Sequence, residues 1–340
     1  MRPAWTAGDI DMTSNIARCR RLLAPLALGL AFAAATTSAL AQAGYPAHPI
    51  RVVVPYPAGG NTDIIARDVM KGLSERLGQP VVIDNKPGAN SILGTDLVAK
   101  AAPDGYTLGV VIGAYVNNNS LYRSLPYRQA DLVPVSQLTR TSLVLVSARP
   151  GIDSLPALVK ASQDPASPMS FASSGAGSAA HLLGEALARN TGMRAVMHVP
   201  YKGTAAATSD LFSGRVGFMF DAISAMGPQI RQGRLKALAV TGKERSPLLP
   251  EVPSMNELGH PELVAYAWAG VLAPAGTPQA VIARLSSELA QVLRDPQLQA
   301  RLADISTEAV GSGPAEFAAF LAQEEKTNGK LIRELNISLD

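Results

Sequence analysis

Residues 50–67 read IRVVVPYPAGGNTDIIAR, and the fold follows from how this stretch is parsed. Ile50, Val52, Val53 and Val54 flank a lone Arg51 in a run that is β-branched and too short for a buried helix, so it reads as a core strand of a mostly parallel sheet. Pro55 ends the strand, and residues 56–61 form a Pro/Gly turn. From Thr62 onward Ile64, Ile65, Val69, Leu73 and Leu77 recur at helical spacing, so a helix starts at the turn. Gly59 and Gly60 carry no Cβ, which lets their N–H groups approach a ligand, while the helix end adds unpaired donors and a partial positive charge. That combination suits an anion. It also fits an ordinary βα turn that binds nothing.

Outward from this stretch the chain alternates strand and helix. Residues 80–84 and 107–112 read as strands, with a helix over 92–101 between them and a Pro103-Asp104-Gly105 turn before the third strand. The βαβαβ order predicts a parallel sheet covered on both faces. Residues 133–138 and 143–147 read as two further strands, the second followed by a helix over 155–162. The pattern then begins again: a strand at 170–172, a glycine turn at 173–178, a helix over 179–190, a strand at 196–199, a helix over 204–212, and strands at 216–220 and 235–240. The apolar stretch 264–272 is placed to cross back to the first domain, with Trp268 lining a cleft. Amphipathic helices over 278–293 and 314–335 close the chain as packing elements.

Upstream, Arg18, Arg20 and Arg21 precede an apolar run over 22–35 and an Ala39-Leu40-Ala41 signal, the pattern of a secretory leader cleaved near Ala41. Met12 is a candidate start. Cys19, the single cysteine, leaves with the leader, so the remainder has no disulfide or thiol chemistry. The chain has 30 basic and 27 acidic side chains. The leader takes four Arg and two Asp, and the near-neutral remainder, with 5% aromatic residues and no basic run, excludes nucleic acid as a partner.

The second informative stretch, FASSGAGSAAH at 171–181, is again strand, glycine turn and helix. Ser173, Ser174 and Ser178 add hydroxyls to the backbone donors, and one of them is expected to cap the helix. Gly60 and Gly177 are expected to take positive φ and to leave room against the ligand. Gly175-Ala-Gly177-Ser-Ala-Ala180 satisfies a dinucleotide fingerprint, but the next strand ends His198-Val-Pro-Tyr-Lys202 and lacks the ribose-binding carboxylate. The chain has no phosphate-loop lysine motif and no G-x-S-x-G elbow. His48, His181, His198 and His260 show no metal-ligand spacing. His181 reads as a capping or polar-rim residue. Tyr201 and Asp221 sit at strand ends, where an open α/β sheet presents ligand residues; Asp221 fits equally as a helix N-cap, and Asp63 as a helix-dipole partner or an acceptor for a ligand ammonium.

Seven motifs tie these residues to a known family: PYPAGGNTDIIAR at 55–67, NKPGA at 85–89, APDGYTL at 102–108, FASSGAGSAAH at 171–181, HVPYKG at 198–203, RSPLLPEVPSMNELG at 245–259 and APAGTP at 273–278. In this order they resemble the Bug-type extracytoplasmic solute receptors of tripartite tricarboxylate transporters. The resemblance implies an α/β, two-domain periplasmic-binding-protein architecture, flytrap and type II-like, with a hinge and an interdomain ligand cleft. The expected domains are 42–143 with 267–340, and 144–266. The resemblance also implies a monomeric periplasmic receptor without cofactor, metal or catalytic residue. Its solute is a small carboxylate, or a related amide or amino acid, passed to a membrane permease or a sensor protein. The resemblance implies that the ligand is held by the two turns, Tyr56, Ala58, Gly59, Gly60, Asn61, Thr62 and Asp63 in the first and Ser173, Ser174, Gly175, Gly177 and Ser178 in the second. The placement of the residues themselves adds His181, Tyr201 and Asp221 to the expected ligand set. The chain departs from the family at Asn61, commonly proline or serine, and over 88–94, where Gly-Ala-Asn-Ser-Ile-Leu-Gly replaces a glycine-rich GAGGNIG run. The alternative is an enzyme on the same scaffold that acts on a small carboxylated substrate through Ser174 with His181 or Asp221.

Overall fold

The computed structural model describes residues 44–340 other than Lys202, so the leader with Met12, Cys19 and the site after Ala41 lies outside the described residues. All contacts below fall within His48–Asp340. Ten strands form one sheet: β1 Ile50–Val54, β2 Val81–Asn85, β3 Thr107–Ile112, β4 Leu132–Ser147, β5 Ser170–Ser173, β6 Met197–Pro200, β7 Phe218–Ala222, β8 Lys236–Val240, β9 Tyr266–Pro274 and β10 Thr307–Ala309. The helices in chain order are α1 Asn61–Leu77, α2 Ile92–Ala99, α3 Ala114–Leu121, α4 Leu155–Ala161, α5 Ala179–Asn190, α6 Thr204–Phe212, α7 Ile223–Arg231, α8 Gln279–Val292, α9 Pro296–Asp304 and α10 Pro314–Glu334.

The sheet order is β2-β1-β3-β9-β4-β7-β5-β6, with β8 and β10 also paired to β4. It is mixed rather than mostly parallel. β1 pairs parallel with β2 and β3, and β5 with β6 and β7. The central strands β9 and β4 run antiparallel to each other and to their neighbours, because the chain crosses the middle of the sheet once in each direction. The two strands expected at 133–138 and 143–147 are one strand of 16 residues. The polar stretch Thr139-Arg140-Thr141-Ser142 breaks the apolar pattern but not the backbone: Thr139 and Thr141 are buried, and the ladder to β9 accommodates two irregularities.

Alternation along β4 places Leu143 and Leu145 in one apolar cluster with Phe171, Phe218 and Phe220, and Val144 and Val146 in another with Ala172 and Met219. Both faces of this half of the sheet are therefore covered, as the side-chain period of a strand requires. Both clusters draw only on residues 143–265. A separate cluster around Val53, Val111, Trp268, Leu272 and Phe317 serves the other half. α1 buries Ile65, Ala66, Val69, Met70, Leu73 and Leu77, and ends at Gly78 in the left-handed region. Ile64, expected on the same face, is 48% exposed. No helix among the described residues is long and apolar enough to cross a membrane.

Candidate functional site

Both glycine turns lie where a parallel strand gives way to a helix, β1 to α1 and β5 to α5. The first turn is organised by Asp63. Its Oδ2 accepts the Gly59 N–H at 2.8 Å and Arg67 Nε at 2.8 Å, and its Oδ1 accepts Asn85 Nδ2 at 2.9 Å. Asn85 also donates to the Tyr56 carbonyl at 3.0 Å. The hydrogen bond from Arg67, with those from Gly59 and Asn85, holds the buried carboxyl down at about 2 against the desolvation that would raise it. Asp63 is thus a hub for the turn, with both oxygens occupied. Gly60 N–H donates to the Pro57 carbonyl at 3.3 Å, so the two glycine amides expected at the ligand are engaged within the turn. Gly60 has φ −74°, and the positive φ belongs to Gly59 at 78°. The Tyr56 hydroxyl is buried beside Ser91 and the Ile112 backbone without a well-formed hydrogen bond, and burial pushes its pKa up.

What the first turn leaves open is the amino end of α1. Gly60 caps it with no side-chain hydrogen bond, and the N–H groups of Asn61, Thr62 and Asp63 have no intrahelical acceptor. Ala58 and Asn61 are exposed beside it. Among the described residues no partner is found for the Thr62 hydroxyl or the Asn61 carboxamide.

The second turn is organised by imidazoles. Gly177 N–H donates to His181 Nδ1 at 3.0 Å, and Ser178 caps α5, its Oγ accepting the His181 N–H at 3.3 Å. His181 is buried and stacks on His198 with centroids 3.6 Å apart, so it is neither a cap nor a rim residue. Ser173 is fully buried; its hydroxyl meets His198 Nε2 at 2.7 Å and also bonds Gly175. Burial, and then the neighbouring His181, hold His198 down at about 4. The hydroxyl of Ser174 has no partner among the described residues. The first turn of α5 leaves the N–H groups of Ala179 and Ala180 without an intrahelical acceptor.

The two side chains at later strand ends are committed elsewhere. Tyr201 Oη donates to Asp210 Oδ2 at 2.7 Å, and burial together with that carboxylate pushes the phenol up to about 12. Asp221 takes the Thr204 hydroxyl on Oδ2 at 2.5 Å and the Ala222 N–H on Oδ1 at 2.7 Å. It ties the end of β7 to the start of α6 and does not cap α7, whose N-cap is Ala222. Burial raises its pKa. A groove of about 520 Å³ lined by Leu155, Val159, Asn190, Leu258 and His260 draws on none of these residues.

No hydrogen bond among the described residues passes directly between 56–63 and 173–178. A polar seam joins the neighbourhoods instead. Asn117 Nδ2 on α3 donates to the Gly177 carbonyl at 3.1 Å, and the adjacent Asn118 exchanges two hydrogen bonds with Asn90, at 2.7 and 2.9 Å. Asn90 precedes Ser91, the neighbour of Tyr56. Ala89, Asn90 and Ser91 all have positive φ, at 46°, 50° and 73°, over the stretch where the family's glycines are replaced.

The tripartite tricarboxylate transporter family receptor, TctC, matches residues 65–337. This chain belongs to the TctC family. Protein BugT of Bordetella pertussis is 38% identical over 323 residues, which cover 94% of this chain and 98% of BugT. Among solved structures, R. palustris Rpa4515 with adipate matches with a TM-score of 0.75 at 32% identity, covering 85% of this chain and 97% of that one. MatC from Rhodopseudomonas palustris with bound malate matches with a TM-score of 0.73 at 30% identity, covering 85% and 100%. The fold is the α/β periplasmic-binding-protein fold, and TctC proteins are solute-binding receptors, not enzymes.

Membership of the TctC family removes the enzymatic alternative. The geometry agrees: Gly177 N–H occupies the His181 nitrogen that a Ser174 base would need, and the serine that meets an imidazole is the buried Ser173. Sequence reasoning missed Asn117, Asn118, Asn85, Arg67 and His198 as supports of the TctC turns. The signal for the first two was present in Tyr115-Val-Asn-Asn-Asn-Ser-Leu121, where amides poorly suited to a helix interior sit between apolar residues. Lys202 lies outside the described residues.

Proposed function

We propose that this TctC receptor is periplasmic and monomeric, binds a small dicarboxylate at its two glycine turns, and passes it to a tripartite tricarboxylate permease or to a sensor protein. The observation that carries the reading is the bare amino end of α1: no side chain caps it, and neither glycine turn contains Arg or Lys. A carboxylate there would be held by backbone N–H groups, the Thr62 and Ser174 hydroxyls and helix-end charge. A second carboxylate would find comparable donors at α5. The adipate and malate in the related structures are the reason for choosing a dicarboxylate.

Residues 42–143 with 267–340, and 144–266, are the two bodies that close on the solute in this reading. Three apolar clusters each fall within one body, which supports the division, while a small cluster of Leu121, Leu182 and Ile332 bridges the two. The chain passes between the bodies within β4 and at the start of β9. Closure on ligand then signals occupancy to the partner. The test is a thermal-shift panel of malate, adipate, other small dicarboxylates, amides and amino acids on ligand-free protein. A dicarboxylate at 100 times its dissociation constant is expected to add about 2.7 kcal/mol, to be recovered unchanged, and to reduce the radius measured by small-angle scattering. Folded protein that no dicarboxylate stabilises would overturn the solute class; binding with an unchanged radius would remove the hinge.

A further inference from the structure

A run of side-chain hydrogen bonds leads from the middle of the sheet to the second glycine turn. Trp268 on β9 donates its indole N–H to Glu324 Oε2 on α10 at 3.0 Å. Asn328, one helical turn further on, donates from Nδ2 to the same oxygen at 3.4 Å and to Asn117 Oδ1 at 3.0 Å. Asn117 Nδ2 then donates to the Gly177 carbonyl at 3.1 Å. The direction of this run is dictated from its start. An indole N–H can only donate, so Oε2 accepts, and with Glu324 ionised that oxygen has no hydrogen to give and turns the Asn328 nitrogen toward it. The second hydrogen of that nitrogen fixes the Asn117 oxygen toward Asn328 and the Asn117 nitrogen toward Gly177.

Gly177 is therefore pinned at both peptide groups, by His181 on its N–H and by Asn117 on its carbonyl. Drawing the carbonyl toward Asn117 keeps a partial negative charge from the mouth of the turn, where an anion would meet it. We propose that Asn117, held by Asn328 and Glu324, is the positioning residue that sets the second glycine turn for an anionic ligand. The inference rests on the two turns being the carboxylate site. Trp268 is the only tryptophan after Ala41, so intrinsic emission reports the head of the run.

Asn328→Asp tests it by reversing polarity. When ionised, an aspartate at 328, which sits against the Glu324 carboxyl, offers Asn117 only acceptors, turning its nitrogen away from Gly177 and setting its oxygen against the Gly177 carbonyl. Asn328→Ala only deletes the link. Asn328→Asp is therefore read at a pH that ionises the new carboxyl. Malate and adipate are the calorimetric probes; the Gly177 amide exchange rate and Trp268 emission are read without ligand. Asn328→Asp is expected to weaken the better probe by about tenfold or more, to speed exchange at Gly177 and to shift the emission. Asn328→Ala should act in the same sense by about threefold. Asn119→Ala, which removes a hydrogen bond between the same two helices, to Glu325 Oε1, should change none of these. Unaltered Gly177 exchange in a folded Asn328→Asp protein overturns the proposal. If that variant does not fold, unaltered exchange in Asn328→Ala does so, as does an Asn119→Ala effect of equal size. Should the unmutated receptor bind neither probe, the solute class falls while Gly177 exchange still decides the positioning role.

Discussion

The two glycine turns look alike as sequence and are held in opposite ways. Around the first, a carboxylate, Asp63, gathers an amide, a carboxamide and a guanidinium. Around the second, two stacked imidazoles and a buried serine do the gathering, and the helix end is capped. The first turn leaves its helix amino end bare; the second fixes its glycine from both sides. A strand, a glycine turn and a helix therefore specify where donors converge, while the residue that braces the turn decides its acid–base character.

The largest effect that would sharpen this contrast is Asp63→Ala. It leaves the Gly59 N–H, Asn85 and Arg67 without their common acceptor at a site where Asp63 is 1% exposed. Urea unfolding is expected to show a loss of about 3 kcal/mol; a loss below about 1 kcal/mol would mean that Asp63 is no hub. Next is Gly177→Ala, at φ 76°, where a Cβ would run into Leu121 Cδ1. About 2 kcal/mol of stability is expected to go, with ligand affinity falling as well.

Acid should separate the turns. The folded His198 pKa, about 4, lies below the ordinary 6.5, so its contribution is complete above pH 6.5 and is lost as pH falls through 4. Asp63 is held at about 2 against 3.8, so its contribution is complete above 3.8 and is lost only as pH falls through 2. Amide chemical shifts at Gly177 and Gly59, followed from pH 7 to 3, are expected to move first at Gly177. Simultaneous movement would break the contrast. The smallest effect belongs to Gly60→Ala. With φ −74° and a Cβ 3.3 Å from the Pro57 carbonyl, it should cost no more than about 0.5 kcal/mol, as thermal unfolding would show.

β3, α5 and α6 were legible to the residue because apolar period and turn residues agree there. α3 was not, since its three consecutive asparagines mask the period, and their role depends on partners at Gly177, Asn90 and Asn328 that no local window contains. The continuity of β4 was hidden by threonines that are buried in a ladder. Both turns were found from their glycines. What each glycine does was not readable: Gly60 needed no positive φ, and the space against Gly177 is filled by Leu121.

The polar run through Asn117 also bears on the order in which the receptor folds. The first turn closes on partners no more than 29 residues apart, the separation of Asn85 and the Tyr56 carbonyl. Asn117 and Asn328, which secure the second, are separated by 211 residues, and Leu339 N–H must still reach the Leu121 carbonyl at 2.9 Å. Contacts of such separation carry the larger loop-closure entropy and form late. A newly made chain thus closes its first glycine turn early, whereas the second, already braced by its histidines, gains the Asn117 brace only when α10 docks.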